Sequence, residues 1–189
     1  MAVKKRFAGL MVSLAILLLP ACGSATIQAE PNTLSAADIA VVDGQKTAVS
    51  YGMSQEDVEK ALGKGEKGFA SFLEYPDGLT VMYRDQDGKN VTAGVMFTDD
   101  SKYSTPRGIS LGASVQDVLT AYGDKPSFQT DSGITYQYDL ENARLVTSVE
   151  EQPLHVEGSE KTLAVTFIIK NNVVSTITLT DYRMAKYVL

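Results

Sequence analysis

The sequence predicts an α+β fold: two tandem units, each a helix followed by antiparallel strands, forming one sheet with the helices packed on one face. Three observations lead there. The chain repeats itself at an offset of 60 residues. Runs with a period of two come after each repeat, as half-buried strands require. Pairs such as Asp-Gly separate those runs, and such pairs favour tight hairpins.

The first 21 residues read as a signal peptide. Lys4, Lys5 and Arg6 give a basic start, and Phe7 to Leu19 is apolar but for Gly9 and Ser13. A spanning helix needs roughly 20 apolar residues, so this run is too short and fits a signal-peptide core of about 7–15. Leu19-Pro20-Ala21-Cys22 then resembles a lipobox, the processing site of bacterial lipoproteins, although Pro20 departs from its usual small or hydroxyl residue. That resemblance implies cleavage before Cys22 and lipidation of Cys22. It places the protein on the extracytoplasmic face of the cell membrane, or on an outer membrane where one exists. Two or three acyl chains at about 0.8 kcal/mol per buried methylene make a stable anchor.

Cys22 is the single cysteine, so no disulfide is available and the exported domain must rest on its core. Removing the first 21 of 189 residues leaves 168, enough for one domain of ordinary size. Losing three basic residues also takes the formal charge from −6 to −9. So acidic a chain is a poor ligand for nucleic acid, which needs a basic face. Residues 22–36 read as lipidated Cys22 and a flexible Ser/Ala/Thr/Pro tether.

The repeat divides the remaining chain into 37–103, opening with a hairpin around Asp43-Gly44, and 104–189. Val49 to Val58 aligns with Ile109 to Val118, and Ala61-Leu62-Gly63 with Ala121-Tyr122-Gly123; seven positions are identical. Ser54 and Ser114 suit helix N-caps, with Asp57 and Asp117 three residues on. Gly63 and Gly123 suit positive-φ helix ends. Each helix is expected to run about nine residues, burying Val58, Ala61 and Leu62 or Val118, Ala121 and Tyr122.

Strands are expected at 70–75, 79–84 and 90–97 in the first unit, and at 134–140, 162–170 and 173–180 in the second. An irregular insertion spans 141–160. Alternation turns Leu79, Val81, Tyr83, Val91, Ala93, Val95 and Phe97 toward the helices, with Tyr136, Tyr138, Leu140, Val165, Phe167 and Leu179. The opposite face carries Thr80, Met82, Arg84, Thr92, Met96, Thr135, Gln137, Asp139, Thr166, Thr176 and Thr178, and is expected to be partly open.

Two units that open with Gly-x-Ser-x-x-Asp-Val and close their helix with Gly resemble the tandem repeat of the beta-lactamase-inhibitor-protein-like fold. The unit is also similar to small outer-membrane-assembly lipoproteins of the SmpA/OmlA type. Arg107-Gly108-Ile109-Ser110-Leu111-Gly112 with Val118 and Tyr122-Gly123 is similar to lipoproteins of Gram-positive bacteria. The resemblance covers about Val41 to Asp181 and implies a sheet face that engages another protein.

No catalytic set stands out. His155 is the only histidine and no Gly-x-Ser-x-Gly elbow accompanies it. Asp85 to Asn90 lacks the ligands of a calcium loop, with Met96 at its twelfth position. Glu150, Glu151, Glu157 and Glu160 are the acids that glycoside or peptide hydrolysis would have to use. The expected function is therefore a non-enzymatic protein-binding or envelope-assembly module without cofactor or metal, partnered by the membrane through its anchor and by an envelope protein. The alternatives are an envelope hydrolase or an inhibitor of a secreted enzyme. Candidate binding-surface residues are Met82, Arg84, Met96, Gln137 and Asp139, since Met and Arg side chains favour interfaces.

Overall fold

The computed structural model describes residues 29–186 apart from 154, 156 and 157, and Cys22 lies outside them. A 3-10 turn at Ala36–Asp38 leads into a hairpin of β1 (Ala40–Asp43) and β2 (Lys46–Ser50). Helix α1 (Gln55–Leu62) comes next, then β3 (Glu66–Lys67), β4 (Phe72–Tyr75), β5 (Leu79–Gln86) and β6 (Lys89–Phe97). Helix α2 (Val115–Tyr122) precedes β7 (Phe128–Thr130), β8 (Gly133–Asp139), β9 (Arg144–Leu145), β10 (Thr162–Lys170), β11 (Val173–Asp181) and α3 (Tyr182–Ala185).

Nine strands form one antiparallel sheet in the order β3-β4-β5-β6-β11-β10-β8-β7, with β9 beside β8. The fold is thus α+β and mostly antiparallel. Its centre is the pairing of β6 with β11, from Ile177 opposite Phe97 to Thr180 opposite Gly94. Both edges are short, which limits pairing with other chains.

Local chemistry accounts for the elements. Ser54 and Ser114 cap their helices by accepting from the Asp57 and Asp117 amides, and Asp117 answers the Ser114 amide in a complete capping box. Three hairpins turn on residue pairs with positive φ at both positions: Asp77-Gly78, Asp87-Gly88 and Asn171-Asn172. Such turns match the twist of the strands they join.

The larger of two hydrophobic clusters gathers Val41 and Val49 of the hairpin, Val58 of α1, Val118 and Tyr122 of α2, and one face of the sheet. Tyr75, Tyr83 and Tyr136 are buried there as the alternation predicts, and Tyr138 packs against it. The Tyr122 ring meets Phe167 edge-on with centroids 5.1 Å apart. Each large apolar side chain buried in this way stabilises by about 1.5–3 kcal/mol.

Several expectations need correction. The Thr-rich face is not open: Met82, Gln137, Thr166 and Thr178 are buried and none of its other members is fully exposed, while a bulge turns Thr92 to the main-cluster side, opposite Tyr83, and brings Val91 to this side, opposite Arg84. Two late segments cover it. Met184 of α3 joins Phe72, Met82 and Ala93 in the second cluster, with Met96 packed alongside. Gln152 of the insertion donates to the Gln137 side chain at 3.2 Å and accepts from the Tyr182 hydroxyl at 2.8 Å. The pattern in the strands is therefore nearly continuous burial, as in sheets covered on both faces.

Ala93 lies in this second cluster, not with the helices. The register between β5 and β6 shifts between Met82 and Tyr83, leaving Ala93 as the extra residue of a bulge, and a bulge re-aims its residue. Beside it, a Cβ on Gly94 would lie 2.4 Å from the Thr180 hydroxyl oxygen, so only glycine lets β11 approach. Leu140 is exposed because β8 ends one residue earlier. Strand β4 begins at Phe72, after Ala70 reverses the chain with φ 51°. The tether expected to reach Ala36 is shorter, since Leu34 is buried in the main cluster.

Candidate functional site

A recess with mixed chemistry lies between β4, β5 and α3. Its volume is about 370 Å³, and Ser71, Phe72, Arg84, Asn90, Arg183 and Met184 contribute to its walls. Phe72 pairs directly with Met82, whereas its neighbours Leu73 and Val81 pair on the helix-packed side. The recess therefore opens on the sheet face opposite the main hydrophobic cluster.

The β3–β4 loop shapes its rim. Phe69 is 70% exposed, the most exposed large apolar side chain among the described residues. Its ring stands edge-on to Phe72, with centroids 6.0 Å apart. The Ser71 hydroxyl donates to the Tyr83 carbonyl at 2.6 Å, fastening the loop to β5.

Arg84 is held by a polar cluster at the inner wall. Its guanidinium donates to the Asp181 carboxylate and, at 2.7 Å, to the Tyr51 hydroxyl. That hydroxyl donates in turn to Asp181 at 2.8 Å. Asp181 also accepts the Met184 amide at 3.0 Å, which starts α3. Burial pushes the Asp181 carboxyl up from its ordinary range, against the lowering effects of the Met184 amide, Tyr51 and Arg84. The same burial, reinforced by Asp181, pushes the Tyr51 hydroxyl far up and keeps it protonated. The cluster is thus a fixed strut that leaves the Arg84 stem along the wall.

Arg183 differs. It is exposed and makes no ion pair among the described residues. The acid on the lining, Asp85, turns to its own hairpin and accepts the Gly88 amide at 3.3 Å. A recess lined by an aromatic ring, here Phe72, and an available guanidinium can hold an apolar side chain together with an oxygen acceptor.

The expected site residues are dispersed. Arg84 lines the recess, Met82 lies buried beneath it and Met96 packs at the edge of the second cluster. Met82 is fully buried and Gln137 nearly so, so neither belongs to an accessible surface, because α3 and the insertion lie over them. Asp139 faces a separate recess of about 310 Å³ with Glu141, Glu151, His155 and Lys161.

The acids considered for hydrolysis do not converge there. Glu151 accepts the Thr147 amide at 2.8 Å and pairs with Arg144. These contacts hold its carboxyl down at about 2, whereas a general acid needs a raised value. Glu150 is also lowered, through hydrogen bonds at its own turn. Glu157 lies outside the described residues. Glu160 turns one carboxylate oxygen inward, where it is buried without a hydrogen-bond partner among the described residues. No group of three or more His, Cys, Asp and Glu side chains able to hold a metal occurs among the described residues.

Sequence reasoning missed Phe69, Arg183 and Asp181. Asp181 carried a signal, since an Asp three residues before Met184 can cap a helix. Phe69 and Arg183 carried none, because the recess forms only where α3 lies against β4 and β5. No family model, no curated protein and no solved structure matches the chain.

Proposed function

We propose that this protein is a lipid-anchored extracytoplasmic lipoprotein that works as a non-enzymatic protein-binding or envelope-assembly module. The observation that carries the binding reading is the recess lined by Phe72 and by Arg183, a guanidinium without an ion pair among the described residues, with exposed Phe69 standing edge-on to Phe72. The recess fits a polypeptide segment that presents an apolar side chain beside an acidic or carbonyl group. The lipobox-like Leu19 to Cys22 supports the anchor. The low Glu151 carboxyl favours binding over acid-catalysed hydrolysis.

The fold is read as two copies of one unit, with α1 and α2 on one face. Geometry supports this at matching places. Ser54 bridges Val91, and Ser114 bridges Val173. The Gly52 amide donates to Thr92 and the Gly112 amide to Val174, both at 2.8 Å. Both helices contribute to the one large cluster.

A photo-crosslinking residue at position 69 or 183, in cells making the full chain, tests the binding reading. Crosslinks to one defined protein, lost on Arg183→Glu, are expected. Crosslinks no more specific than those from position 170, on the far hairpin, would overturn it. For the anchor, Cys22→Ser should abolish lipid labelling and release the protein to the soluble fraction; unchanged membrane partition would refute it.

A further inference from the structure

The N-terminal segment is docked where the sequence suggests a free tether. The Asn32 amide donates to the Tyr122 carbonyl at 2.7 Å, and the Asn32 side chain accepts the Lys125 amide at 2.9 Å. A Cβ on Gly123 would fall 2.3 Å from the Asn32 side-chain oxygen, so glycine leaves the room that Asn32 fills. Arg107 completes the clasp. Its Nε donates to Asp38 at 2.6 Å, and its two terminal nitrogens reach the Thr33 carbonyl at 2.6 Å and the Ala121 carbonyl at 3.1 Å. Its guanidinium stacks 4.7 Å from the Tyr122 ring centre.

These contacts fix where the chain leaves the domain: beside the C-terminal end of α2, on the helix-packed side. Eight residues separate Glu30 from Cys22, and at ~3.5 Å per residue they reach at most about 28 Å. The recess lined by Phe72 and Arg183 lies elsewhere. The Tyr136 hydroxyl of β8 donates to the Gly123 carbonyl at 2.5 Å, placing the exit near β8. From β8 to β5 the sheet order counts four strand steps, or roughly 19 Å at ~4.8 Å each. The recess is also on the opposite face.

We infer that the Arg107–Asn32 clasp is an orienting device, which holds the α2 end of the domain toward the lipid surface and turns the Phe72–Arg183 recess away from it. A freely hinged tether to Ala36 would let either face meet the bilayer. The clasp moves the last free joint to before Glu30, shortens the leash and biases the recess outward. This rests on the anchor reading above.

The test uses the mature acylated chain in phosphatidylcholine vesicles whose lipids carry a quencher. Cys22 is consumed by acylation, so a fluorophore can be placed singly at Lys125→Cys, beside the clasp, or at Lys89→Cys, on the hairpin near the recess. Quenching at position 125 several-fold stronger than at 89 is expected, with the ratio falling toward one in Asn32→Ala/Arg107→Met. Equal quenching in the unaltered clasp overturns the inference while the anchor stands; chains that fail to join vesicles overturn the anchor reading and this one with it. Should the double variant lose its circular dichroism, Asn32→Ala alone serves. Faster amide exchange at residues 30–35 with a lower quenching ratio supports the clasp, and faster exchange with an unchanged ratio overturns it.

Discussion

Arg107 and Asp38, 69 residues apart in the chain, form an ion pair whose side chains are only 3% and 1% exposed. Asp38 also accepts the Ser35 amide at 2.8 Å, so its second oxygen is engaged as well. Breaking such a pair leaves an uncompensated buried charge, which costs about 3–5 kcal/mol. Arg107→Met is therefore expected to lower stability by about that much in urea unfolding. Asp38→Leu added to Arg107→Met should recover part of the loss by removing the stranded carboxylate, although the Thr33 and Ala121 carbonyls stay unpaired. A cost below about 1 kcal/mol for the single change, within the range of exposed pairs, would refute this account.

Asp181 carries a prediction of opposite sign to most carboxylates. Burial raises its folded value above the unfolded one. Its stabilising contribution is then complete below the unfolded value of about 3.9 and is lost as pH rises through the folded value. Arg84 is one of the groups that lower it, so Arg84→Met should push the Asp181 titration further up. Carbon-detected NMR titration of the Asp181 carboxyl reads both values; a downward shift in the variant would contradict the cluster.

Glu151 behaves in the usual direction. Its folded value of about 2 lies below the unfolded one, mainly through the Thr147 amide and Arg144. Its contribution to the insertion is present above about 4.3 and fades as pH falls toward the folded value. Amide protection at Thr147 should drop across that window, and Arg144→Ala should move the Glu151 titration up. Protection at Thr147 that stays constant from pH 5 to below 3 would rule out this role for the carboxylate.

The parts of the fold written in local chemistry were legible in the sequence. Ser54, Ser114, Gly63 and Gly123 mark the two helices, and Asp77-Gly78, Asp87-Gly88 and Asn171-Asn172 mark the hairpins that the structure has. These signals act within four residues, so one sequence carries them. What failed was set at long range. Alternation alone made Met82 and Gln137 surface residues, because nothing in their strands announces Met184 or Gln152. Ala93 failed for a subtler reason: a bulge inverts faces without leaving a mark on the residue pattern. The recess failed with them, since Phe72 and Arg183 lie 111 positions apart in the numbering and share its lining through tertiary packing alone.

Gly94 tests whether that central bulge is a requirement of the fold. It pairs with Thr180 across the seam between β6 and β11. A methyl group there would stand 2.4 Å from the Thr180 Oγ1 and 2.7 Å from its Cβ. The hydroxyl is held in place, because its one proton is within reach of the Ala93 carbonyl at 3.2 Å and the Asp181 carbonyl at 3.1 Å. Gly94→Ala should therefore act as overpacking and cost about 1–3 kcal/mol. The change should be felt across the seam as chemical-shift perturbation at both Ala93 and Leu179. Thr180→Gly in the Gly94→Ala background removes both close atoms and should restore part of the stability, even though a strand glycine itself costs about 0.5–1 kcal/mol. Were the double variant less stable than Gly94→Ala alone, steric exclusion would not be the reason for the glycine.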